Sequence, residues 1–443
     1  MRLLRTSLMV AAACAMLAGC GVFGGKGKEL SEEEKASRVS LSVLDQQLVA
    51  DPSLAALSVT LPEARAIEDW PQAGRIPSKI VGHVKAGEAF KVDWKKGLGE
   101  GSSRTRRIIA APVVEDGRLY MVDADQKVIA VDASNGDKVW EHTIHSDNKR
   151  DKYAVGAGIG LAGDRVIVTS GYGYIVALSV ADGSELWRRE IDTPISGSPA
   201  VFDGKAFVTS TNNELYVLDL ATGDVVWTDQ AIAESARILS SPSPAVEDDL
   251  LVAPFSSGEL IAYVPANGRR LWQDTLTTIG RFTPLSAIND IAGRPSVQDG
   301  VVYAGSHSGV LTAIDARTGT RLWNLLFGSR LGPVISGDFL FIAGTDGQVA
   351  CLRKIDGKVI WARSLPAFKN QKKKQKPIVY TGPLVASNRL ILGTSRGELL
   401  ALSPQTGETI DKLDLGQSIY IEPIAANGLI YVLTDDGTLV AIR

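Results

Sequence analysis

The chain has 443 residues, 45% apolar and 22% charged, a composition that supports a sizeable core and excludes overall disorder. Its formal net charge of −3 gives no basic face for a phosphate backbone, so nucleic acid is not an expected partner. Three cysteines with no C-x-x-C spacing exclude a disulfide framework, a zinc knuckle and covalently attached haem.

Residues 1–19 read as an export signal, with Arg2 and Arg5 followed by an apolar run from Leu8 to Leu17 that is too short to span a bilayer. Leu17-Ala18-Gly19-Cys20 resembles a bacterial lipobox, which makes Cys20 the expected lipidation site and first mature residue. Gly21 follows instead of the Asp associated with inner-membrane retention, so by that resemblance the destination is the periplasmic face of the outer membrane. Residues 20–88 are expected to form a lipidated tether and N-terminal extension. Within them Ser31 and Glu34 are a candidate capping box for a short helix ending before Pro52, or part of a solvated charged segment. Trp70-Pro71-Gln72 and Pro77 predict extended chain leading into the domain.

From Phe90 onward the sequence repeats. Trp94, Trp140, Trp187, Trp227, Trp272, Trp323 and Trp361 are spaced by 46, 47, 40, 45, 51 and 38 residues, and Ile410 is a weaker eighth match 49 further on. The surrounding text also recurs, as in Asp219-Leu-Ala-Thr-Gly223-Asp-Val-Val-Trp227 and Asp315-Ala-Arg-Thr-Gly319-Thr-Arg-Leu-Trp323. Each unit opens on a small residue and Pro, then alternates short period-two strands with Asp-Gly, Gly-Asp or Asn-Gly turns. Four antiparallel strands every 45 residues or so are the pattern of a β-propeller blade. The last unit supplies three strands before Arg443, and Phe90 to Trp94 supplies an orphan fourth. The expected fold is therefore all-β: residues 89–443 form an eight-bladed β-propeller of four-stranded antiparallel blades, closed by pairing N- and C-terminal strands. The repeated Trp are expected to pack between blades.

The search for chemistry finds little. His83, His142, His145 and His307 show no metal-binding spacing, so no metal site and no catalytic residue is expected. His145-Ser146-Asp147 places triad residue types side by side in sequence, which does not make a triad. Gly158-x-Gly160-x-x-Gly163 matches a dinucleotide fingerprint but is followed by a strand where a helix is needed. Cys351 sits in an apolar strand and reads as a small core residue. Lys372, Lys373, Lys374 and Lys376 read as a solvated loop or as a contact for anionic lipid or an acidic surface. Two long adjacent interblade loops, residues 230–242 and 277–294, should emerge side by side on one rim. The first carries Arg237, Ile238 and Leu239; the second carries Phe282, Leu285, Ile288, Asp290 and Ile291. Apolar and charged residues together in long loops predict a protein-binding patch.

The repeat Ala-[Val/Leu]-Asp-x-x-[Thr/Asn]-Gly-[Asp/Glu]-x-x-Trp, as in Ala130 to Trp140 and Ala313 to Trp323, resembles the quinoprotein-like repeat. Combined with the lipobox, the length and eight repeats, the chain resembles the BamB family of outer-membrane lipoproteins of the β-barrel assembly machinery. That resemblance implies a non-catalytic scaffold without cofactor. Its implied partners are the BamA-type barrel-inserting subunit, other components of the machinery, nascent outer membrane proteins, and the membrane through the lipid anchor. It also implies a contact site in the two long loops, here Arg237, Ile238, Leu239, Asp290 and Ile291. Ile238 falls at a matching apolar position and Asp290 at a matching acidic one. Ala236, Leu239 and Ala292 depart from the larger apolar, basic and acidic residues expected there. The competing readings are a quinone-dependent alcohol or sugar dehydrogenase, whose leading motif Trp70-Pro71 resembles, and a scaffold of some other envelope complex. Against the enzyme stand the missing Cys-Cys pair and the missing calcium site.

Overall fold

A computed structural model of the chain describes residues 47–148, 153–191, 193–234, 238–277 and 290–443. The export signal, Cys20 and the candidate helix after Ser31 lie outside the described residues. Residues 47–443 form one compact unit, and its strands make eight four-stranded antiparallel sheets. Blades 1 to 7 follow in chain order, from Val113–Glu115 as the first strand of blade 1 to Thr409–Asp414 as the fourth of blade 7. Blade 8 joins the two ends of the unit: Val92–Gly97 pairs with Thr438–Ile442 as its outer strand. The ring closes as expected.

The motif residues each have a local task. In the turn before the fourth strand, Asp315 Oδ1 accepts hydrogen bonds from the Thr318 amide at 2.7 Å and hydroxyl at 2.8 Å, which hold its carboxyl below the usual range. Gly319 then takes φ +72°, a left-handed turn that a side chain would strain. The Trp of the preceding blade lies on that glycine. A Cβ on Gly183 would meet the Trp140 ring at 2.5 Å, so glycine is required for close approach as well as for backbone shape. The indole N–H reaches the carbonyl three residues before the glycine: Trp140 to Val180 at 3.0 Å, Trp272 to Ala316 at 2.7 Å, Trp361 to Pro404 at 2.8 Å. At Trp94 the equivalent Ala133 carbonyl is taken by the Tyr431 hydroxyl at 3.0 Å, and the indole N–H has no partner among the described residues.

Every blade slips register by one residue just before the Trp position; Ala130 faces Trp140 while Val131 faces Lys138, leaving Val139 as the extra residue. This corrects the eighth match. In blade 7 Ala401 faces Asp411 and Leu402 faces Thr409, so Ile410 is the bulged residue and Asp411 occupies the Trp position. The loss of Trp there has a topological cause. The turn it would cover is the third turn of blade 8, and blade 8 has none, because its third and fourth strands come from opposite ends of the unit. The seam is held instead by Arg443, whose amide donates to Lys91 O at 3.0 Å and whose guanidinium lies 3.3 Å from Asp93.

The extension between residues 47 and 91 is part of the ring. Asp51 N–H donates to Val359 O in blade 6 at 2.8 Å. The chain then circles the mouth of the central channel on the face that carries the first turn of each blade. It exchanges hydrogen bonds with the innermost strands: Trp70 with Val114 in blade 1, Pro71 O with Leu161 N in blade 2, the Gln72 side chain with Val201 in blade 3, Pro77 O with Val246 N in blade 4, Ser78 O with Val297 N in blade 5. Val84 pairs with Val385 and Ser387 in blade 7, Gly87 with Gly428 in blade 8, and Pro62 packs on Gly337 in blade 6. His83 ties this belt together, donating from Nδ1 to Pro62 O and accepting at Nε2 from the Asn388 amide. An inner strand edge is a row of unpaired amides, and the belt supplies their acceptors. Trp70, outside the repeat series, is 2% exposed and anchors the belt on blade 1.

Candidate functional site

The belt leaves the opposite mouth open. There the starts of the inner strands and the interblade loops surround a funnel of about 350 Å³, with Ala73 of the belt at its floor. Arg107, Arg294, Arg330, Glu422 and Asp435 are its charged side chains, interleaved with Leu239, Tyr380, Tyr420 and Ile421. Arg294 spans the axis from blade 5 to grip both carboxylate oxygens of Glu422 in blade 8, the Nη2–Oε2 bond measuring 2.7 Å. Arg107 approaches Asp435 only to 4.0 Å. Arg330 is half-buried, has no hydrogen bond or ion pair among the described residues, and its guanidinium is pushed down by burial. Gly74 fits beneath because it lacks a side chain; a Cβ would meet Arg294 Nε at 2.7 Å.

Below the floor sits Lys79, 3% exposed, whose Nζ donates to Gln72 Oε1 at 3.2 Å. Burial, with Arg294 adding to it, holds its pKa well below the ordinary lysine value. The unfolded chain therefore binds the extra proton in the window between that lowered value and about 10.4, and stability must rise with pH across the window. Lys79→Met is expected to stabilise the protein by about 1–3 kcal/mol at neutral pH, the usual cost of an incompletely satisfied buried polar group. The gain should shrink toward pH 10 as the amine of the unfolded wild-type chain neutralises. Thermal midpoints of both chains across that range check it, and a gain independent of pH would contradict the assignment.

The two long loops do meet. The Ile238 amide donates to Asp290 Oδ2 at 2.7 Å, and the Asp290 carbonyl accepts from His307 N–H at 2.9 Å. Asp290 is 3% exposed and Ile291 1% exposed; Asp290 ties the loops together, and Ile291 is core between blades 4 and 5. Ile238 is half-buried and Leu239 is 40% exposed at the funnel rim. Arg237 lies outside the described residues, as do Phe282, Leu285 and Ile288. Two exposed apolar residues on the same face were not singled out from sequence. Ile232 is pinned through its amide to Glu259 at 2.7 Å, and Tyr420 stands on the rim of the funnel. Neither occupies a repeated position, so no periodicity marks them.

A quinone with calcium does not fit these residues. A calcium ion needs several carboxylate or carbonyl oxygens converging on one point, yet Glu422 is occupied by Arg294, and no group of three His, Cys, Asp or Glu among the described residues could hold a metal. Cys351 is the single cysteine among them, fully buried with its thiol pushed up by burial. His145, Ser146 and Asp147 lie in the loop after blade 1, where Arg188 binds the His145 carbonyl and the Asp147 amide reaches Tyr174. Gly158 and Gly160 lie in a strand, Ala157–Ala162, and the segment after Gly163 is the strand Arg165–Ser170, as the sequence predicts for a false fingerprint.

The family profile described as "Outer membrane protein assembly factor BamB" matches residues 91–149, 145–363 and 369–443. The chain belongs to the BamB family. A BamB relative from Burkholderia pseudomallei is 26% identical over 375 residues, covering 84% of this chain and 92% of that one. The crystal structure of BamB from Moraxella catarrhalis superposes with TM-score 0.67 at 17% identity, covering 80% of this chain and 99% of that one. A quinohemoprotein alcohol dehydrogenase from Comamonas testosteroni also superposes with TM-score 0.67, at 14% identity over 85% of this chain and 81% of that one. At these identities the structural matches show the shared propeller fold alone. The family profile begins at residue 91, so the repeats it matches are those of the ring.

Proposed function

We propose that this chain is a non-catalytic scaffold of the β-barrel assembly machinery, held by lipid on Cys20 at the periplasmic face of the outer membrane. It aids the assembly and insertion of outer membrane β-barrel proteins. The BamB-family match along nearly the whole ring carries this reading, and the lipobox at Leu17-Ala18-Gly19-Cys20 supports it. On this reading residues 1–19 are removed, Cys20 begins the mature tether, and residues 89–443 are the propeller. The BamA-type subunit is the proposed partner of the loop face beside the funnel. Ile238, Leu239 and Ile232 would supply apolar contact there, Arg237 a charge, and Asp290, with Ile291 packed beneath, would fix the shape of the patch. Nascent outer membrane proteins and the other components of the machinery are further proposed partners.

Affinity purification from detergent-solubilised envelopes tests it. The wild-type chain should retrieve the barrel-inserting subunit, and Ile238→Glu/Leu239→Glu should reduce recovery about tenfold or more, as loss of a central apolar contact does. Equal recovery by both chains would move the contact elsewhere, and failure of the wild type to retrieve it would end the assignment.

A further inference from the structure

Between blades 6 and 7 the interblade connection forms a hairpin of its own, Phe368–Asn370 paired with Gln375–Pro377. Its base is fixed by the Tyr380 hydroxyl on Pro366 O at 2.9 Å and by Ile378 N–H on Ala367 O at 2.9 Å. Its turn is closed by the Gln371 side chain on Phe368 O at 2.7 Å. Lys369, Lys372, Lys373, Lys374 and Lys376 are all exposed, and none is in an ion pair among the described residues. The sequence offers nothing local to neutralise them, since no Asp or Glu occurs between Ser364 and Gly397.

We propose that this hairpin is a docking finger for an anionic phospholipid surface. Two observations select a lipid leaflet over an acidic protein. The exposed stretch from Gln371 to Pro377 reads Gln-Lys-Lys-Lys-Gln-Lys-Pro and lacks the aromatic or apolar anchor around which protein interfaces are built; flexible ammonium groups without a shaped pocket suit a diffuse layer of phosphates. The N-terminal extension is also held at the same blade, where Leu48 N–H donates to the Gln348 side chain at 3.0 Å. The proposal rests here on lipidation at Cys20. The 27 peptide steps from Cys20 to Gln47 span at most about 100 Å, which keeps the hairpin within reach of the leaflet at high effective concentration.

The mature full-length chain with Cys20→Ser, which carries no acyl group, isolates the finger from the anchor. Co-sedimentation with vesicles containing about 30% phosphatidylglycerol should exceed that with pure phosphatidylcholine by about tenfold or more. The excess should vanish in about 0.5 M salt. The quadruple variant Lys372→Gln/Lys373→Gln/Lys374→Gln/Lys376→Gln should lose it while keeping the wild-type thermal midpoint, because all four side chains are solvated. Equal binding to both vesicle types, or undiminished binding by the quadruple variant, would overturn the proposal. So would binding to polyglutamate without binding to the anionic vesicles, which would assign the finger to an acidic polypeptide. Mass spectrometry of the native lipoprotein reports separately on Cys20, so a failure of the anchor and a failure of the finger remain distinguishable.

Discussion

A chain shortened to begin at residue 89 is expected to lose about 10 °C or more of thermal midpoint, or to aggregate, even though all thirty-two blade strands would remain. The reason is the belt. Its removal strips the acceptors from the inner-strand amides of Leu161, Val246 and Val297 and breaks the reciprocal pairing at Trp70 and Val114. It also exposes the surfaces that Leu54, Val59, Trp70, Val81 and Val84 cover. At about 1.5–3 kcal/mol for each large apolar side chain, the gross loss is on the order of 10 kcal/mol, comparable to the whole net stability of a typical domain. Circular dichroism melts of the shortened and mature chains measure it. A shortened chain melting within a few degrees of the longer one would show the belt to be a passenger.

Trp361→Ala is expected to cost about 3–5 kcal/mol. The ring is 7% exposed, lies on Gly407 and donates to Pro404 O at 2.8 Å, so truncation opens a cavity between blades 6 and 7 and leaves a carbonyl without its donor. Asp411→Ala removes the residue at the corresponding position of blade 7 and should change stability by no more than about 0.5 kcal/mol, as for an exposed surface residue. Denaturant unfolding of both variants makes the contrast measurable. A cost below about 1 kcal/mol for Trp361→Ala would mean that the indoles decorate the blades without joining them.

The propeller was legible in the sequence because its chemistry is periodic. The Asp that caps a turn, the Gly that takes positive φ and the Trp that covers the next glycine recur as one physical unit, and a repeat announces itself. The single misplacement, Ile410 for Asp411, arose where the repeat loses its partner: with no turn to cover, no aromatic marks the position, and the Gly407-to-fourth-residue spacing was the remaining signal. The belt was not legible as such. Each of its residues meets a different blade, so its sequence carries no period, and its prolines and glycines read as ordinary connecting chain. The pairing of the two long loops was foreseen from their lengths, but the burial of Asp290 and Ile291 was not, because a carboxylate satisfied by a backbone amide 52 residues away leaves no local trace.

The closure of blade 8 sets an order of events. The strand Val92–Gly97 leaves the ribosome, and on the proposed route crosses the inner membrane, long before its partner Thr438–Ile442. The belt likewise precedes every inner strand it caps. The strand Val92–Gly97 cannot pair until Thr438–Ile442 arrives, so the ring should seal only after the whole chain is delivered. Contacts this distant in sequence fold slowly. On the proposed route the chain would cross unfolded, and this topology would keep it from closing too soon, with the first strand made waiting for the last.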